Sequence, residues 1–262
     1  IDQIEKPLLL TPLIDAGKIE EAKLRSRVTP PLLTDNIDSY TGFLTVNRTA
    51  KSHHFFWYIP KTNLDNTTAP LILWLHSGPG WSSLFSLFNE NGPYKVTQEG
   101  ELRRREHAWT NHYHVLYIYQ PVGTGFSFTE DEMNGYIGTQ EEVAEHLYET
   151  LVQFYKIFPE LLKHDLYLAG CSYAGKYVPA LGYKIHRMAN LGSNVPAIPL
   201  AGMMIGNGHP DPENILDYAS FLYNLHLIDK NVRLQMEETQ EKLKFLYQSK
   251  DWDLVLEWHD KL

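Results

Sequence analysis

Four short, continuous apolar runs constrain this chain more than any other feature: residues 70–75, 115–119, 166–169 and 200–205. Strands buried on both faces of a parallel sheet read this way, whereas half-exposed strands alternate. Between the second and third runs, residues 139–158 carry Val143, Leu147, Leu151 and Phe154 at helical spacing. Residues 175–190 predict another helix. Strands alternating with helices imply βαβ crossovers and a largely parallel sheet. Ahead of them, residues 39–59 alternate and are rich in Phe, Tyr, Thr and Val. That predicts an antiparallel strand pair at the sheet edge. Residues 1–37 read as irregular, and from residue 211 the text is helical with no further strand-like run. The expected division is therefore an α/β core over residues 1–210 and a helical region beginning over 211–262.

A formal charge of -9 argues against a nucleic-acid or anionic-membrane partner. Arg103, Arg104 and Arg105 form the one basic run, but Glu101 and Glu106 flank it, as in a solvated loop. Cys171 is the only cysteine, so no intrachain disulfide is possible. No metal-ligand set or cofactor motif is expected: the glycines of residues 121–128 fit neither the Walker nor the dinucleotide spacing. No apolar run is long enough to span a bilayer, and residues 1–6 hold no apolar leader, so a soluble chain is expected, any signal having been removed. Two sequons, Asn47-Arg48-Thr49 and Asn66-Thr67-Thr68, lie in turn-like polar text. They point to the secretory pathway, with Asn47 and Asn66 exposed and glycosylated.

Residues 165–179 read as strand, sharp turn and helix around Ser172. A serine on such a turn points its Oγ where a base and a substrate carbonyl can reach it. Gly170, Ala174 and Gly175 keep the turn small. A serine that merely caps the helix N-terminus would read the same way. Residues 74–83 form a second constellation: a buried strand runs into the loop His76-Ser77-Gly78-Pro79-Gly80. That is a plain turn or the seat of an oxyanion-hole N–H.

The order Gly78-Pro79-Gly80-Trp81-Ser82-Ser83, Glu90-Asn91-Gly92-Pro93-Tyr94, Pro121-Val122-Gly123-Thr124-Gly125-Phe126, then Ser172-Tyr173-Ala174-Gly175-Lys176 resembles the serine carboxypeptidases. The opening Pro7-Leu8-Leu9-Leu10-Thr11-Pro12 looks most like their vitellogenic-like branch. The resemblance implies an α/β-hydrolase fold, a mostly parallel central sheet with flanking helices, here truncated before its last strands. It implies removal of C-terminal residues from a peptide substrate, in lysosomes or outside the cell. By it, Ser172 is the acyl-forming nucleophile, and Gly78 and Tyr173 give backbone N–H groups to the oxyanion. His76, Ser77, Cys171 and Asn91 fall at substrate-binding positions.

The pattern also breaks. The usual Asn or Gln is His76, the following Gly is Ser77, a small residue is Trp81, and the Glu beside the nucleophile is Cys171. The terminal-carboxylate site thereby loses its typical polar partners. The fold's triad runs Ser, Asp, His, the last two on loops after later strands. Here Asp211, Asp217, His226, Asp229, His259 and Asp260 all sit in helical or polar text. The chain alone is expected to be inactive, with a possible second chain carrying the triad Asp and His. A non-catalytic secreted binding protein, or an acyltransferase or esterase on the same scaffold, are the alternatives.

Overall fold

The computed structural model describes residues 6–28, 37–63, 68–191, 197–259 and 261. It falls into two compact units, Ile1–Gly208 and His209–Leu262. The strands are β1 (Arg27–Val28), β2 (Ser39–Asn47), β3 (Ser52–Ile59), β4 (Leu71–Leu75), β5 (Tyr94–Val96), β6 (Leu102–Arg104), β7 (His114–Ile118), β8 (Phe128–Thr129), β9 (Leu166–Cys171) and β10 (Leu200–Gly206). The helices are α1 (Thr11–Asp15), α2 (Ile19–Ser26), α3 (Ser83–Asn89), α4 (Gln140–Ile157), α5 (Ala174–Asn190), α6 (Tyr218–Asn224), α7 (Lys230–Ser249) and α8 (Trp252–His259).

The first unit is built on one mixed sheet in the order β1-β2-β3-β7-β4-β9-β10, with β8 added against β3. β7, β4, β9 and β10 are parallel neighbours. β1, β2 and β3 form an antiparallel wing that joins β7. Successive side chains point to opposite faces, and each face has its own core. Leu71, Leu73 and Leu75 of β4, Leu116 and Ile118 of β7, and Leu166 and Leu168 of β9 pack with Leu147, Leu151 and Phe154 of α4 and Val178 and Leu181 of α5. Val115 and Tyr117 of β7 and Ile59 of β3 pack instead with Leu84 and Leu87 of α3.

Helix α4 shows local sequence and tertiary need agreeing. Its apolar stripe faces the sheet, and Thr139 caps its start. The Thr139 side chain accepts the Glu142 amide, while the Glu142 carboxylate accepts the Thr139 amide. This capping box satisfies two otherwise orphaned donors. Thr139→Ala is expected to cost about 1 kcal/mol, read as a lowered urea midpoint with unchanged slope. A change in slope, or no shift, would count against the cap.

Residues 1–37 are not irregular throughout: α1, α2 and β1 lie there. The signal was present in α2, with Glu20 and Glu21 in its first turn and Lys23 and Arg25 toward its end, as the helix dipole favours. What holds α1 is long-range. Thr11 Oγ1 donates to Gln153 Oε1 at 2.6 Å and accepts the Thr45 amide at 2.8 Å. The small β5–β6 hairpin also escaped the sequence reading; Arg105 beside it donates to the carbonyls of Phe88, Gly92 and Tyr94.

A second correction concerns β10. Its apolar run predicts burial on both faces, yet Met203, Met204 and Ile205 are 53%, 41% and 42% exposed. The reason is position: among the described residues β9 is its one strand neighbour.

The second unit is helical. Asp229 caps α7 by accepting the amides of Asn231 and Val232. Leu243 and Leu246 of α7 are buried, as are Ala219 of α6 and Val255 of α8. The buried Gln240 side chain accepts the Ala219 amide at 2.8 Å, tying α6 to α7. None of the described helices is long and apolar enough to cross a membrane.

Candidate active site

Strands β4 and β9 are parallel neighbours with Leu75 opposite Gly170. The chain therefore leaves both strands at the same edge of the sheet, where His76 follows one and Ser172 closes the other. In open α/β sheets, ligands bind at the carboxyl ends of strands where the order reverses. Here β4 is that strand, with β7 on one side and β9 on the other.

Ser172 is exposed and has φ +55, a left-handed conformation that non-glycine residues rarely adopt. Its amide donates to the Gly206 carbonyl at 3.0 Å, and its carbonyl accepts the Gly175 amide at 2.9 Å. The turn is tight enough to dictate its neighbours. A Cβ on Gly170 would lie 2.4 Å from the Leu75 carbonyl oxygen and 2.5 Å from the Ala174 Cβ. Tyr173 then takes helical angles and opens α5. Its amide makes no hydrogen bond among the described residues.

On the β4 side, Gly78 has φ +133, and a Cβ there would meet the Gly80 amide nitrogen at 2.6 Å. Only glycine folds this loop so sharply. Ser82 caps α3, and the Ser83 hydroxyl donates to the Ile118 carbonyl at 2.7 Å, which ties the loop to the end of β7.

The His76 ring is buried, with Nδ1 2.9 Å from the Ser86 hydroxyl and 3.9 Å from Cys171 Sγ. Burial lowers the His76 pKa below the ordinary histidine value, only partly offset by the Glu90 carboxylate. The imidazole is thus neutral at pH 7. Burial pushes the Cys171 thiol up and Glu90 adds to the rise, against a weaker opposing hydrogen bond from the Ser77 backbone. The pair is an uncharged thiol beside an uncharged imidazole. Trp81 and Phe85 flank the His76 ring at centroid distances of 6.2 and 5.5 Å.

The loop of residues 120–128 completes this edge. Ser127 Oγ donates to the Tyr119 carbonyl at 2.6 Å and accepts the Phe55 amide. Burial pushes the Tyr119 phenol up, and the Ser82 side chain after β4 opposes part of that rise.

The structure thus brings together Ser172, Cys171, Tyr173, His76, Ser77 and Gly78. Asn91 stands apart. It is buried, with Oδ1 accepting from the Tyr117 hydroxyl in the core on the α3 face. Asn47 ends β2 and is half-buried, its Oδ1 accepting the amides of Thr49 and Ala50. Asn66 and Asp260 lie outside the described residues. Asp211, Asp217, His226, Asp229 and His259 all fall in His209–Leu262, and no described sheet strand precedes any of them in that unit. Asp211 accepts from Asn214, and His259 meets His209 edge to face. No group of three or more His, Cys, Asp or Glu suited to a metal occurs among the described residues. Sequence reasoning missed Ser86, whose contact with His76 spans ten positions and leaves only one trace, a small polar residue on the buried face of α3.

A serine held left-handed between a parallel strand and a helix, under a sheet layered by helices on both faces, is the nucleophile turn of the α/β hydrolases. The chain belongs to the serine carboxypeptidase family, whose model matches residues 31–256. It is 46% identical over 233 residues to the vitellogenic carboxypeptidase of Aedes aegypti, covering 89% of this chain and 48% of that protein. It is 45% identical over 256 residues to the venom serine carboxypeptidase of Apis mellifera, covering 98% of this chain and 54% of that one. Against the probable serine carboxypeptidase CPVL of Homo sapiens the identity is 45%, over 98% and 53% of the two chains. The chain therefore spans about half the length of the curated relatives it matches. Among solved structures it is similar to Kex1(delta)p, a prohormone-processing carboxypeptidase from Saccharomyces cerevisiae. The TM-score is 0.77 at 28% identity, covering 87% of this chain and 53% of that one.

Proposed function

We propose that this chain is the nucleophile-bearing part of a serine-type carboxypeptidase that acts on the C-terminal ends of peptides in the secretory pathway, lysosomal or extracellular. The observation that carries the reading is Ser172 in its left-handed turn, one strand away from the Gly78 loop. In this reading Ser172 Oγ attacks the acyl carbonyl, and the amides of Gly78 and Tyr173 stabilise the oxyanion. His76, Ser77 and Cys171 then border the leaving group, and Asn91 supports the α3 side through Tyr117. The sequon at Asn47, in the β2–β3 turn, suits glycosylation during secretion.

The Asp and His that activate the serine come from outside these 262 residues, from the rest of the protein or from a second chain. Two observations support this. Among the described residues β10 is the one sheet strand after Ser172, with Asp217, Asp229 and His259 at helix ends beyond it, and β10 offers an exposed apolar sheet edge. Such an edge invites a further strand.

Without a base, serine is a poor nucleophile. The isolated chain is therefore expected to turn over a blocked dipeptide and an activated ester no faster than a Ser172→Ala control, at pH 5 and pH 7 alike. Serine-dependent turnover with no second chain present would overturn this and make His76 the base to mutate next. A protein whose native form also lacks serine-dependent turnover would be the non-catalytic binding protein instead.

A further inference from the structure

The Asn47 carboxamide is held at one end and open at the other. Its Oδ1 accepts the amides of Thr49 and Ala50, each at 3.0 Å. Its Nδ2 has no hydrogen-bond partner among the described residues. The paired acceptor contacts fix the plane of the amide, and with it the direction in which a group joined to Nδ2 sets out. Beside it a groove of about 380 Å³ opens between the end of β2 and α4. Asn47 lines this groove, with Val46 from the strand and Glu145, Tyr148 and Glu149 from the helix. The three helical residues stand at i, i+3 and i+4, so one face of α4 presents them together.

The chemistry of the groove selects its occupant. Val46 and the Tyr148 ring supply apolar surface, and Tyr148 belongs to the core of the α4 face. Glu145 and Glu149 supply carboxylate oxygens. Lys184 engages Glu145, and Gln153 Nε2 donates to Glu149 Oε1 at 2.8 Å. A carboxylate accepts at about four positions, so each keeps capacity for further donors. Arg48, which also lines the groove, is already spent on both Asp15 oxygens, at 2.6 and 2.9 Å. An anion would meet two carboxylates here. A neutral ligand with hydroxyl donors and one apolar side matches the surface on every count.

We propose that this groove is a carbohydrate seat: the first N-acetylglucosamine joined to Asn47 lies in it, its hydroxyls donating to Glu145 and Glu149 and its carbon face covering Val46 and Tyr148. The inference rests on the Asn47 glycosylation proposed above and gives that sugar a structural role. In the modification a sugar diphosphate donor of the secretory pathway supplies the sugar. The bond from Nδ2 to the anomeric carbon forms as the bond to the diphosphate breaks, and Nδ2 gives up one proton. Seating is favoured because the sugar is tethered beside its groove and its direction is set in advance.

The test uses the protein as secreted by eukaryotic cells held to high-mannose glycans. Endoglycosidase H then leaves one N-acetylglucosamine on each modified asparagine. The trimmed protein is compared with trimmed Thr49→Ala, which keeps Asn47 and loses its sequon, so every other site is the same in both. The trimmed unaltered protein is expected to melt about 3 °C higher or more. Thr49→Ser keeps the sequon and is expected to melt with the unaltered protein. Trimming itself is expected to move the melting temperature by less than about 1 °C, since one sugar fills the seat. In Glu145→Ala/Glu149→Ala, where alanine keeps α4 helical, loss of the sequon is expected to shift melting by less than about 1 °C. Equal melting of the trimmed protein and trimmed Thr49→Ala overturns the proposal. So does a stabilisation that survives the double alanine variant, or one that needs the whole glycan, because a glycan acting without a seat behaves that way. Failure of the glycosylation reading shows separately, as an Asn47 peptide from the secreted protein whose mass lacks the sugar.

Discussion

Gly170→Ala is expected to destabilise the first unit by about 3 kcal/mol or more, beyond the usual range for one added methyl. The cost is large because neither obstacle is a flexible side chain. The new Cβ would sit 2.4 Å from the Leu75 carbonyl oxygen, which is β4 backbone in register with it. It would sit 2.5 Å from the Ala174 Cβ, in the first turn of α5. Relief requires strand and helix to part, and that movement passes through Ser172. The urea midpoint should fall with little change in slope, and the left-handed serine should be displaced. Gly170→Ala/Ala174→Gly removes one obstacle and leaves the other, so it should recover part of the loss and not all of it. A cost below about 0.5 kcal/mol for Gly170→Ala, the level of a neutral surface change, would mean that β9 and α5 are not packed as described.

Stability is expected to fall steeply as pH drops from 7 toward 4, and His54 is expected to be the largest single contributor. His54 is fully buried between β3 and α4, and burial, helped by nearby His146, pushes its pKa down to about 3. Its Nδ1 lies 2.9 Å from the Thr150 hydroxyl, which itself donates to the His146 carbonyl. The hydroxyl is therefore the acceptor, and Nδ1 carries the proton. The sign follows from proton uptake. An unfolded histidine titrates near its ordinary value of 6.5, so below that the unfolded chain binds a proton that the native His54 refuses. The stabilisation is whole above pH 6.5 and is lost as pH falls toward 3. At about 1.4 kcal/mol per unit of pH, the loss from this one group between pH 6.5 and 4.5 is roughly 2–3 kcal/mol. His114, lowered to about 4 by burial and by His164, acts in the same direction, as do His53 and His146. In His54→Leu the urea midpoint should depend measurably less on pH, by the share of this one group, whatever its value at pH 7. Identical pH slopes for the two proteins would show that His54 is not the group responsible.

Much of this molecule was legible before any coordinates. Three of the continuous apolar runs became β4, β7 and β9 because a strand enclosed by neighbours needs no polar face, and the fourth became the edge strand β10. Val143, Leu147, Leu151 and Phe154 placed α4 by spacing alone, since helical period is set within a few turns. Gly170, Ala174 and Gly175 around Ser172 disclosed a turn with no room for side chains. These are facts about residues a few positions apart, whose geometry the chain itself imposes.

Only the tertiary structure decided who stands beside whom. It set β10 at the sheet edge, where an apolar run read as buried instead leaves Met203, Met204 and Ile205 exposed. It turned Asn91 inward to Tyr117 and put Ser86 on His76. It joined Thr11 to Gln153 across 142 positions and His54 to Thr150 across 96. The physical reason is one of range. Period, capping and turn chemistry are properties of adjacent residues, whereas strand order and side-chain partners depend on which of many compatible packings has the lowest free energy for the whole chain. No local pattern carries that choice.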